Sequence, residues 1–168
     1  MLRCAEPGDE LAVAAVHVAG WQAGYAGLLP ASYLDGLRVE DRAARYTFGD
    51  RGPGRPVTVL AVDDSGVVGF VVTGPARVAA NPTRGELYAL YVQPERWRQG
   101  IGHALLVDAR RRLIAEGFVE ASLWALEGNE RAERFYRADG WRPVGARRRE
   151  HLHGIEVDEV EYRRDLAS

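Results

Sequence analysis

Gly100-Ile101-Gly102 stands where the sequence changes from a strand-like to a helix-like pattern. Upstream, Glu86 to Val92 (ELYALYV) is rich in apolar residues and is stopped by Pro94. Downstream, Gly100 to Glu116 carries apolar residues at helical spacing and ends at Gly117. The first backbone N–H groups of such a helix have no internal partner and lie at the positive end of its dipole, so they favour an anion. Glycines at 100 and 102 remove side chains from that approach, which lets a pyrophosphate reach the backbone. Two familiar phosphate motifs are incomplete here. A nucleotide P-loop needs Lys-Ser or Lys-Thr after its last glycine, where this chain has His103-Ala104. The dinucleotide fingerprint needs a third glycine and a tight strand-to-helix turn, both missing.

Other residues suited to chemistry lie on either side. Asn129 follows Gly128 and suits the N-cap of a helix running to Ala138. Tyr136 falls within about 20° of Asn129 around that helix, so both can face one ligand. Glu86 opens the central strand, where the bland reading is a solvated charge or a partner of Arg84. Trp21, Tyr25 and Tyr33 can hold a cation or fill a core. Arg110-Arg111-Arg112 and Arg147-Arg148-Arg149 read as solvated faces; in a strand Arg148 points opposite to its neighbours, and Glu156 to Glu161 lies across the hairpin to neutralise the run.

These residues need a scaffold, and the chain has the length for one domain, residues 1–168, with one core. Apolar residues make up 46 % and charged residues 27 %, the balance of a globular domain. A net charge of −2 argues against nucleic acid as a partner. The single cysteine, Cys4, forms no internal disulfide, and no Cys/His cluster has zinc spacing, so no metal is expected. The start of the chain lacks a signal-peptide pattern and no apolar run reaches membrane-span length. The expectation is a cytoplasmic protein with no membrane contact.

The pattern predicts a helix over Asp9 to Gly24, with Asp9 as cap and Leu11, Ala14, Ala15 and Val18 as its apolar stripe. A short turn after Pro30 and a helix over Val39 to Phe48 follow, then a turn-rich loop from Gly49 to Pro56. Val57 to Val62 and Val67 to Thr73 form a hairpin, joined to the Glu86 to Val92 strand by a loop over Arg77 to Gly85. After the Gly100 helix, with Leu105, Leu106, Leu113 and Ile114 as buried candidates, come a strand over Phe118 to Leu126 and the Asn129 helix. Strands over Trp141 to His151 and Ile155 to Asp165 close the chain around His153-Gly154. A strand also heads the expected order, with no residues assigned to it. The result is an α/β (α+β) fold: a mixed, mostly antiparallel sheet with a central parallel strand pair and flanking helices.

Three stretches taken together resemble the GNAT (GCN5-related N-acetyltransferase) family. They are the Leu-Tyr-Val-x-Pro strand ending, Gln99-Gly100-Ile101-Gly102-His103-Ala104-Leu105-Leu106, and Leu126 to Trp141 (LEGNERAERFYRADGW). The resemblance covers nearly the whole chain. It implies attack by an amine on the thioester of acetyl-CoA as co-substrate. Backbone of Leu90, Tyr91 and Val92 then meets the pantetheine arm and acyl carbonyl, while that of Arg98, Gln99, Gly100, Ile101, Gly102, His103 and Ala104 wraps the pyrophosphate. Asn129 bonds the arm, Tyr136 is the acid for the leaving thiolate, and Glu86 is the base, directly or through water. Trp21, Tyr25 and Tyr33 line the amine pocket, and Arg131 and Arg134 are candidates for the 3′-phosphate. The acceptor is an amine of a small molecule or peptide, and a homodimer is the oligomer that family habit suggests. A CoA-binding sensor without turnover and a transferase of longer acyl groups are the alternatives. One position departs from the family pattern: three residues before Gly100, where Gln or Arg is usual, the chain has Trp97, followed by Arg98.

Overall fold

Val59 and Ala61 pack into one apolar cluster, while the intervening Leu60 packs into another. This alternation makes Val57–Asp63 a strand covered on both faces, and it recurs across the sheet. The computed structural model describes residues 1–50, 52–77, 81–152 and 154–167. Within them β1 (Leu2–Cys4), β2 (Val57–Asp63), β3 (Gly66–Pro75), β4 (Arg84–Val92), β5 (Glu120–Leu126), β6 (Arg142–Leu152) and β7 (Ile155–Asp165) form one seven-stranded sheet in the order β1-β2-β3-β4-β5-β7-β6. Only β4 and β5 pair in parallel. The helices are α1 (Glu10–Gly24), α2 (Ala31–Asp35), α3 (Val39–Ala43), α4 (Ile101–Ala115) and α5 (Glu130–Ala138), with a 3₁₀ turn over Pro94–Arg96.

The first face of the sheet packs Val59, Val71 and Leu87 against Leu105, Leu106 and Leu113 of α4. The opposite face packs Leu60 and Phe70 beneath Val13 and Val16 of α1. Two irregularities in β4 shape the site. Val72 pairs with Ala89 and Thr73 with Leu87, so Tyr88 is the extra residue of a β-bulge. The parallel pairing of β4 with β5 covers only Arg84↔Glu120, Gly85↔Ala121 and Glu86↔Ser122. Beyond it β4 continues to Val92 and β5 to Leu126, and the two strands part into a V.

The mixed sheet, its parallel pair and its flanking helices agree with the expected fold, and the unassigned first strand is Leu2–Cys4. Several details differ. Asp9 occupies the N-cap position of α1, but its side chain caps no helix amide; its carboxylate takes the Arg3 guanidinium at 2.8 and 3.0 Å and the Glu6 N–H at 2.8 Å. Ala14 and Val18 of the expected α1 stripe are buried, but Ala15 is exposed, Leu11 is 59 % exposed and Ile114 of α4 49 % exposed; Val13, Val16 and His17 complete the buried face of α1. The helix expected to run to Phe48 stops at Ala43, and Tyr46 and Phe48 fold back onto the α1 cluster. Part of the Arg77 to Gly85 loop and His153 of the closing turn lie outside the described residues. Among the described residues no helix is long and apolar enough to cross a membrane.

Candidate active site

The V between β4 and β5 opens into a cleft of about 620 Å³. Its walls are the parted strand segments, Leu87 to Val92 and Leu123 to Leu126. The apex is the last paired rung, Glu86↔Ser122, and the wide end meets the start of α4. Four arginines line the cleft, Arg96, Arg98, Arg131 and Arg134, and no aspartate or glutamate does. Arg96 is held by Asp63 at 2.6 Å, and the other three form no ion pair among the described residues. A chain with net charge −2 has therefore built a cleft suited to a polyanion.

At the wide end Gly100 caps α4 with φ +82°, a left-handed conformation that glycine adopts freely. Arg98 has φ +65°, the one non-glycine residue with positive φ among the described residues, and non-glycine backbone is strained there. Ala104 N–H closes the first helical turn onto the Gly100 carbonyl at 3.0 Å. Ala104 therefore has no free amide to offer, which corrects the expectation that the wrapping backbone extends to it; the N–H groups of Ile101, Gly102 and His103 are the ones without a helical acceptor. Gln99 and Ile101 do not line the cleft: Gln99 bonds the Glu95 carbonyl at 3.4 Å, and Ile101 packs into the core. A Cβ on Gly102 would meet the Phe135 ring at 3.3 Å, so this glycine also lets α5 sit close to α4.

Trp97, the departure from the family pattern, has a structural role. Its indole N–H donates to the Val92 carbonyl at 2.9 Å at the end of β4. Its ring carries the Arg131 guanidinium, whose central carbon lies 3.8 Å from the ring centroid. Burial lowers the Arg131 pKa, and no carboxylate offsets that effect.

Asn129 caps α5 by accepting the Ala132 N–H at 3.3 Å, and it lines the cleft, where its amide N–H₂ remains free to donate. Tyr136 lines the same cleft and is otherwise enclosed by Phe135 and Trp141, with ring centroids 5.2 and 6.2 Å away. Burial pushes its phenol well above the ordinary range, reinforced by Tyr91 and partly opposed by Arg131, so it holds its proton.

Glu86 is at the apex but does not line the cleft. Gly85 faces Leu113 and Phe118, so Glu86 points to the opposite face, where it is 1 % exposed. Its carboxylate accepts from Arg77 through the backbone N–H at 3.0 Å, Nε at 3.1 Å and Nη2 at 2.6 Å. Arg84, the partner considered from sequence, pairs with Glu120 instead. The aromatics at the apex are Tyr88, supplied by the bulge, and Trp124. Of the three aromatics expected at an amine pocket, Tyr25 lines the cleft, bonded to Tyr91 at 3.3 Å between hydroxyls. Trp21 sits in a core cluster with Leu34 and Leu126; Tyr33 packs beside it and donates to the Leu152 carbonyl at 3.3 Å. Leu90, Tyr91, Val92, Arg98, Gly100, Gly102 and His103 all line the cleft. Tyr88 and Trp124 were missed because strand aromatics carry no motif; a bulge is invisible without its register.

This geometry has known counterparts. The model of the acetyltransferase (GNAT) family matches residues 22–141. The chain belongs to the GNAT acetyltransferase family. Among its GNAT relatives, the uncharacterized N-acetyltransferase YuaI of Bacillus subtilis is 36 % identical over 120 residues, spanning 70 % of this chain and 66 % of YuaI. A Mycobacterium tuberculosis protein, also named as an N-acetyltransferase, is 30 % identical over 173 aligned positions, covering 96 % of this chain and 91 % of that one. The PaiA N-acetyltransferase of Thermoplasma acidophilum, solved in complex with coenzyme A, superposes with a TM-score of 0.69 at 20 % identity and covers 96 % of both chains.

Proposed function

We propose that the protein transfers an acetyl group from acetyl-CoA to a primary amine of a small molecule or peptide by direct attack within the cleft. The observation that carries this reading is the continuous path from the α4 start, through a carboxylate-free lining with four arginines, to Tyr136 and the strand apex. When bound, acetyl-CoA supplies a thioester carbonyl and a polyanionic tail.

The chain's own groups divide the work. The N–H groups of Gly102 and His103, with Arg98 and Arg131, hold phosphate. The free amide of Asn129 donates to the arm. Backbone N–H along Leu90 to Val92 faces the thioester oxygen, and one such donor is typically worth about 3 kcal/mol. Tyr136 keeps its proton and offers it to the departing sulfur. Glu86 acts on the ammonium through water, since its carboxylate is enclosed by Arg77.

The test is a CoA titration followed by thiol release from acetyl-CoA across a panel of amines, repeated with Tyr136→Phe. The expected outcome is turnover in the wild type, with kcat lowered about 10²-fold or more in the variant and CoA affinity preserved. An unchanged kcat removes Tyr136 from the reaction. CoA binding without thiol release for any amine reduces the protein to a CoA-binding module.

A further inference from the structure

The apex of the cleft has two aromatic walls, Tyr88 from β4 and Trp124 from β5. Each already carries a guanidinium on its face: Arg77 lies 4.2 Å from the Tyr88 centroid and Arg148 lies 4.3 Å from that of Trp124. A ring whose negative face holds one cation offers less to a second. The nearby carboxylates are also committed. Glu86 is bound by Arg77, while Glu159 and Glu150 hold Arg148 at 2.9 and 3.3 Å. With no aspartate or glutamate in the lining, an acceptor bearing a second ammonium meets no counter-charge.

The two arginines are not equivalent. Arg148 is answered by two carboxylates and its side chain is 21 % exposed. Arg77 is answered by one; its side chain is 52 % exposed and its Nη1 makes no hydrogen bond among the described residues. Its donor fork is therefore partly open to solvent over the Tyr88 ring that borders the cleft, just outside the lining itself, a geometry suited to a carboxylate.

Resting on the transfer reading above, we propose that the acceptor is a small primary amine that carries a carboxylate, and that Arg77 receives that carboxylate. Arg77 is then a specificity-determining residue. Polyamines and amines whose carboxylate is masked are poor acceptors.

The experiment compares matched amines for thiol release from acetyl-CoA: L-alanine against L-alaninamide and ethylamine, L-leucine against 3-methylbutylamine, and 4-aminobutyrate against 1,4-diaminobutane. The same compounds are titrated into CoA-loaded protein, with tryptophan emission as the readout because Trp124 lines the site. The proposal expects kcat/KM about tenfold or more in favour of the carboxylate-bearing member of at least one set, one charge-assisted contact being enough for that ratio. In Arg77→Gln the ratio falls toward one while CoA affinity holds, since Arg77 does not line the phosphate end. If the single variant folds poorly, the double variant Arg77→Gln/Glu86→Gln, freed of an unpaired buried acid, provides the same comparison in the binding titration, which does not depend on Glu86 as a base. Preference for the diamine or the amide, equal use of both members, or a ratio unaffected in both variants overturns the proposal. If no amine is turned over but carboxylate-bearing members still bind the CoA-loaded protein selectively, the recognition stands and the transferase reading fails. If they neither react nor bind, the recognition fails.

Discussion

Arg98 offers a test in which stability and ligand binding move in opposite directions. Its φ of +65° places a side chain where glycine is comfortable. Left-handed backbone costs a non-glycine residue about 1–2 kcal/mol, and glycine returns about 0.5–1 kcal/mol of that through its greater freedom in the unfolded chain. Arg98→Gly is therefore expected to stabilise the free protein by about 0.5–1 kcal/mol, or about 1–4 °C in Tm for a chain of this size. The same change removes one of three unpaired arginines from the cleft. Arg98 is solvent-exposed, so the lost phosphate contact is set at about 1 kcal/mol, an about fivefold loss of CoA affinity that shrinks as salt is raised. Arg98→Lys retains charge and strain and separates the two effects. The assay is thermal unfolding of the free protein alongside CoA titration at low and high ionic strength. A variant that is less stable than wild type, or one that binds CoA equally well at low salt, refutes the reasoning that strain is tolerated here for the sake of the guanidinium.

Other outcomes follow from the same geometry. Glu86→Gln flattens the acid limb of kcat/KM if Glu86 relays the amine's proton; a limb that survives assigns the step to bulk solvent. Because burial holds the Tyr136 phenol above its ordinary range, any alkaline limb of kcat below about pH 10 persists in a titration that follows tyrosinate absorbance, with no ionisation of Tyr136 accompanying it. Gly74→Ala drives a Cβ to within 2.7 Å of the Tyr88 hydroxyl and is expected to cost about 1–3 kcal/mol in urea unfolding, partly restored by adding Tyr88→Phe. Asp9 is held below the usual aspartate range by its bond to Arg3, so its contribution is fully present above about pH 3.9 and is lost below that as the pH falls through the lowered value of the folded protein. Asp9→Asn should cost about 1 kcal/mol at neutral pH, with the gap to wild type closing in acid.

What was readable in the sequence was what local chemistry dictates. Asn129 capped its helix, and Gly100-x-Gly102 before an apolar helical stripe marked the start of α4. The charge pairing across the last hairpin was legible too, because β register follows from the turn: Arg148 meets Glu159 and Arg149 meets Asp158. Long-range partnerships were not. Arg77 reaches Glu86 through the loop between β3 and β4, and Arg131 crosses to Trp97 from a different helix; neither spacing carries a signal. Aromatic residues at helical intervals looked alike from sequence, yet Tyr25 borders the cleft while Trp21 is core: the two share one face, but Tyr25 lies one turn on, at the end of α1, where its hydroxyl meets that of Tyr91. Ile114 failed as a core residue because it lies on the outward side of α4, beside the buried Leu113.

The parting of β4 from β5 has a consequence for how the chain manages its sheet edges. An ordinary open sheet has two edges, each a row of unpaired backbone groups that invites another strand. Here the outer edges are guarded: β1 is only three residues long, and β6 carries Arg147, Arg148 and Arg149. The V adds two interior edges, the margins of β4 beyond Glu86 and of β5 beyond Ser122. These cannot be blunted with charge, because the walls must stay open to a ligand's own amides and carbonyls. They are protected instead by being set inside a cleft joined at one end, out of reach of a neighbouring sheet.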